Sequence, residues 1–112
     1  METTDLGKTS LGMDASLEAT LCYVLGFLSG IVFYVLEKEN KFVRFHAMQS
    51  TITFGGVLVV NIVLSFVPFF GRVFSGLISL AALVLWVALM VKAYQGEQFK
   101  LPVIGDIAEK NA

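Results

Sequence analysis

Apolar residues collect along this chain in three long runs. Ala19 to Leu36 is 18 residues without a formal charge, a second run extends from about Ala47 to Val67, and Val73 to Val91 adds 19 more uncharged residues. At 1.5 Å per helical residue, each run is long enough to cross a hydrocarbon layer of about 30 Å. The pattern predicts helices at about 17–39, 42–66 and 72–95. Ser16 is placed to cap the first, and Glu18 in its first turn suits the positive end of the helix dipole. Pro68 turns Val67 away from helical dihedrals and should end the second helix near Phe66. Gly96, with Lys92 in the preceding turn, stops the third. Pro102 then opens a short segment at 102–110, with Leu101, Ile104, Ile107 and Ala108 on one arc and Asp106, Glu109 and Lys110 opposite. That segment is too short to span and is expected to lie along the membrane surface or dock on the hairpin. Residues 1–15 form a polar tail with no hydrophobic period, expected to be disordered. The tail is not a cleaved signal, because the acids Glu2, Asp5 and Asp14 outnumber Lys8. The fold class is therefore all-α integral membrane: three transmembrane helices plus a short C-terminal amphipathic interfacial helix, in one membrane domain at 16–112.

Composition agrees. The chain is 56% hydrophobic with a mean hydropathy of +0.78, and its 15% charged residues fall below the roughly one quarter of a soluble domain. A net charge of -1 without a basic stripe excludes a nucleic-acid partner. Cys22 is the single cysteine, which excludes an internal disulfide and a cysteine-rich metal site. His46 is the single histidine, and no acid lies within the apolar runs to pair with it. Glu37 and Glu39 are balanced by Lys38 and Lys41, and no glycine-rich phosphate loop is present. No catalytic, cofactor or metal residue is assigned, and a non-enzymatic protein is expected. Its partners are the lipid bilayer and either further copies of itself or other membrane subunits.

Three sets of residues stand out. Glu37, Lys38, Glu39, Lys41 and Arg44 form an interfacial charged hairpin between the first two runs. Cys22, Gly26 and Gly30 recur every four residues, and Ser75 and Ser79 repeat that spacing in the third run. Such small residues let helices approach closely, for dimerisation or, as favoured here, for packing within the chain. In the second run His46, Gln49, Ser50 and Thr53 fall at i, i+3, i+4 and i+7 and share a face, with Asn61 at its edge further along. Unpaired amides and hydroxyls are costly in lipid, so this stripe must look inward. It either lines a cavity or oligomeric pore with His46 at the mouth, or bonds across helices and serves packing only. With three crossings, the charged hairpin and C-terminus share six bases (Lys38, Lys41, Arg44, Lys92, Lys100 and Lys110) against Lys8 and Arg72 opposite. The hairpin and C-terminus are expected in the cytoplasm and the N-terminus outside, as a multi-pass protein of the cell membrane.

The run from Glu37 to Ser50, together with Lys92 to Gly96 and Lys100 to Asp106, resembles a family of small prokaryotic membrane proteins of unknown function, grouped with the Tic-type import component of the chloroplast inner envelope. The resemblance covers about Ser16 to Lys110, and Arg44-Phe45-His46-Ala47-Met48-Gln49-Ser50 is its most specific part. It implies a compact helical membrane domain and, by distant analogy, a part in protein or solute passage. The plastid proteins are described with four membrane helices, where this chain shows three and a surface helix.

Overall fold

The computed structural model describes residues 7–112. Five helices follow one another: α1 (Ala15–Val24), α2 (Phe27–Leu36), α3 (Lys41–Leu64), α4 (Phe70–Tyr94) and α5 (Ile104–Lys110). At 24 and 25 residues, α3 and α4 are each about 36 Å long and apolar enough to cross a membrane. They form an antiparallel pair joined by the short turn at Pro68-Phe69. Gly71 makes the turn possible: a Cβ there would lie 2.1 Å from the Leu64 carbonyl oxygen. Asn40 starts α3, its side-chain oxygen accepting the Val43 amide at 3.1 Å.

The first apolar run departs from expectation. It is not one spanning helix but two helices of ten residues, α1 and α2, broken at Leu25-Gly26. Gly26 takes φ +64°, which a residue with a side chain adopts only with strain. The Gly26 amide bonds Tyr23 O, so the break leaves the Cys22 carbonyl without its helical partner, and hydroxyls take its place. Ser29 Oγ donates to Cys22 O at 2.9 Å, and the single Ser50 hydroxyl proton lies between Cys22 O at 2.7 Å and Gly26 O at 2.9 Å. α2 folds back along α1, and both pack on α3. Each rises about 15 Å, half a hydrocarbon layer, so the pair is a helical hairpin and not a third span.

Both ends of this hairpin consequently meet. The Ser10 amide donates to the two Glu37 carboxylate oxygens at 2.9 and 2.7 Å, and Asn40 Nδ2 donates to Lys8 O at 3.1 Å. The N-terminal segment thus sits with the 37–40 link and not at the opposite end, which removes the premise of three crossings. Of the tail expected to be disordered, 1–6 lie outside the described residues, while Thr9 Oγ1 bonds Met13 O at 2.8 Å and Ser10 ties the segment to Glu37. α1 begins one residue before Ser16, whose hydroxyl is buried without a partner instead of capping the helix.

All the buried apolar residues gather at this end. Ala19, Cys22 and Tyr23 of α1 pack with Val43 and Ala47 of α3, Leu89 and Ala93 of α4, and Leu101 of the following segment. α5 begins at Ile104, two residues later than Pro102, and docks on α3, with Gly105 and Ala108 buried and Gly105 packed closely on Lys100. Toward its far end the α3–α4 pair stands bare, with Val59, Leu80 and Val84 each about 60% exposed.

Candidate functional site

The hairpin, α3 and the strap at 95–103 converge on a buried polar cluster. α3 presents His46, Gln49 and Ser50, all fully buried, with Thr53 one turn further along. α1 supplies Tyr23, also fully buried, and the strap supplies backbone groups. His46 Nε2 lies 3.0 Å from the Glu97 carbonyl oxygen, which can only accept, so Nε2 carries the proton. Nδ1 is then an acceptor and receives the Tyr23 hydroxyl at 2.7 Å. The Tyr23 oxygen in turn accepts Gln49 Nε2 at 3.1 Å. Gln49 completes the circuit by donating to Phe99 O at 2.9 Å and accepting the Leu101 amide at 3.0 Å. Phe42 and Phe45 stand edge-on to the imidazole and close its surroundings.

Each donor and acceptor of His46 and Gln49 is therefore engaged by the same chain. Such an arrangement holds three separate pieces of backbone in register; it offers no free base to a substrate. Thr53 is the exception on this face, buried with its hydroxyl unpartnered. Asn61 lies apart from the cluster, where its side-chain oxygen accepts Ser75 Oγ and its amide donates to Val57 O at 3.1 Å.

Of the charged hairpin, Glu37 is fully buried and Arg44 half-buried, while Lys38, Glu39 and Lys41 are exposed. Arg44 Nη1 donates to Tyr34 O at 3.0 Å and Glu37 O at 2.7 Å, and its guanidinium lies 4.1 Å from the centre of the Tyr34 ring. Glu18, fully buried on α1, faces Glu37. Burial first, and Glu37 second, push the Glu18 carboxyl up to about 8. Burial also works to raise Glu37, but the Glu18 carboxyl and the amides of Ser10 and Asn40 outweigh it and hold Glu37 at about 2.

Among the small residues, Gly26 forms the hairpin tip and Gly30 sits where α2 crosses α3, with Ala47 O only 2.8 Å from where a Cβ would be. Cys22 is fully buried between α1 and α3, Ser75 bonds Asn61, and Ser79 is exposed. Sequence reasoning missed Tyr23 and Glu18. A hydroxyl in the middle of an apolar run demands a partner, which was the available signal for Tyr23. Glu18 gave none, because a first-turn acid is already explained by the helix dipole.

Proteins similar in sequence to this chain are named as membrane proteins. One from Methanocaldococcus jannaschii, named a UPF0132 membrane protein, is 60% identical over 105 residues, covering 94% of each chain. A second from the same organism is 50% identical over 101 residues, 90% of this chain and 72% of its own. A UPF0132 membrane protein of Archaeoglobus fulgidus is 49% identical over 98 residues, 88% of this chain and 95% of its own. No solved structure matches. The model of the magnetosome magnetite crystal formation protein family (MamF/MmsF) matches residues 9–108, almost the whole described chain, and the protein belongs to that family of membrane proteins.

Proposed function

We propose that this protein is a non-enzymatic membrane scaffold subunit whose polar stripe is a lock and not the wall of a conduit. The observation that carries this reading is the closed circuit of Tyr23, His46 and Gln49, whose hydrogen-bonding capacity is used on the chain's own strap. A passage role, the finer implication of the Tic-type resemblance, would need those groups to face water or cargo. The crystal formation in the family's description is a property of that family, and scaffolding is the broader role that the fold of this chain supports. The bare half of α3 and α4 supports contact with lipid and with neighbouring subunits.

Charge supports an orientation for this subunit. Lys8, Lys38, Lys41, Arg44, Lys92, Lys100 and Lys110 belong to the end that carries both termini, leaving Arg72 alone at the other. On that bias the end with both termini faces the cytoplasm.

Gln49→Leu separates lock from conduit. In purified protein it should lower thermal stability by about 1–3 kcal/mol, since the buried Leu101 amide and Phe99 carbonyl lose their partner. In vesicles, wild type and variant should both leave ion and solute flux at the protein-free level. A wild-type flux that Gln49→Leu abolishes would overturn the scaffold reading.

A further inference from the structure

The far end of the α3–α4 pair carries a feature that the lock does not use. A groove of about 780 Å³ opens at the turn between the two helices, lined by Asn61, Ser65, Pro68, Phe69, Arg72 and Ser75 among others. Asn61 and Ser75 bond each other, and Ser65 Oγ donates to Ile62 O at 2.5 Å, so both hydroxyl protons are committed within the chain and neither residue brings a charge to balance Arg72. Among the described residues no carboxylate pairs with that guanidinium. None could come from nearby, because the sequence holds no acid between Glu39 and Glu97, and those two residues sit at the opposite ends of helices about 36 Å long. Phe66, Phe69 and Phe70 stand around the turn, 82%, 72% and 63% exposed, as aromatic rings do at the boundary of a bilayer.

Arg72 is exposed at this boundary, and with no carboxylate nearby an anion for it comes from outside the chain. The planar guanidinium fork matches two oxygens of a phosphate, and the rings at the rim suit acyl chains and headgroup carbonyls. We propose that this groove binds the phosphate of an anionic membrane lipid, with Arg72 as its counter-charge. The site is independent of the polar lock, since its residues lie beyond the hairpin and the strap.

The test reconstitutes the full chain into phosphatidylcholine vesicles containing a photoreactive phosphatidylglycerol, with cross-linked peptides mapped by mass spectrometry. Wild-type protein should cross-link at residues 61–75, and Arg72→Gln should reduce that yield about tenfold, the loss expected for one charge-assisted pair. Lys92→Gln, which removes a base near the opposite end, should leave the 61–75 yield unchanged, and a melting temperature of Arg72→Gln equal to wild type serves as the folding control. Equal labelling of Arg72→Gln, or equal yield from a photoreactive phosphatidylcholine, would overturn the proposal. Suppression of the labelling by millimolar inorganic phosphate would overturn the lipid as the source and leave a free phosphate in its place.

Discussion

Tyr23 shows how much one hydroxyl can organise. It receives Gln49 and gives to His46, so it joins the hairpin to α3 at the place where α3 also grips the strap. Removing that hydroxyl in Tyr23→Phe strands a ring nitrogen and an amide in a dry interior, and should cost about 1–3 kcal/mol in detergent unfolding. The Glu18–Glu37 pair makes a second residue-scale prediction. Glu18 ordinarily titrates near 4.5 and is pushed to about 8 in the fold. Between those values the folded protein keeps a proton that the unfolded chain has released, so stability falls as pH rises through the window and levels off above it. Glu37, held at about 2, acts in the opposite direction below 4.5, where its contribution is lost as the pH falls toward 2. Melting temperature should therefore decline from pH 5 to 8, and Glu18→Gln should flatten the decline; an unchanged slope in that variant rejects the pairing. The spacing of His46, Gln49, Ser50 and Thr53 was enough to put them on one face. Their partners were not legible, because all of them but the Tyr23 hydroxyl are backbone groups, which carry no sequence signal.

Among the elements, the first apolar run is the instructive one. Its 18 uncharged residues satisfy the length rule for a span, and hydropathy alone cannot distinguish one helix of that length from two half-length helices folded together. Gly26 is where the difference is made, and Ser29 and Ser50 make the break tolerable by bonding the freed Cys22 carbonyl. Gly26→Ala should destabilise the hairpin by about 1–2 kcal/mol through its left-handed backbone. Gly30→Ala forces a Cβ against the Ala47 carbonyl oxygen, backbone that cannot swing aside, and should cost about 1–3 kcal/mol as overpacking does. Hydrogen exchange of α1 and α2 measures both: local loss of protection in the two helices is expected, and protection equal to wild type would show that the close crossing at α3 is not needed.

For the whole molecule, the hairpin leaves two helices long and apolar enough to span, and the orientation proposed above puts residue 8 on the same side as the C-terminal helix. Single cysteines introduced as Lys8→Cys, Lys38→Cys and Lys110→Cys should react with a membrane-impermeant maleimide from one side of sealed vesicles, and Arg72→Cys from the other, with the buried native Cys22 silent. Labelling of position 8 together with position 72 would restore a three-crossing arrangement. Sequence alone determined that this is an all-helical chain with long apolar segments, that α3 and α4 pair across a short turn at Pro68, and that the polar stripe of α3 shares a face. Those properties depend on composition, helical periodicity and local backbone preference, which neighbouring residues decide among themselves. Tertiary structure decided that the first run doubles back, that Glu37 meets Ser10, and that Tyr23 and the strap close over His46 and Gln49. These depend on which carbonyl or hydroxyl lies within about 3 Å of a given donor, a distance set only when segments far apart in the chain are packed together.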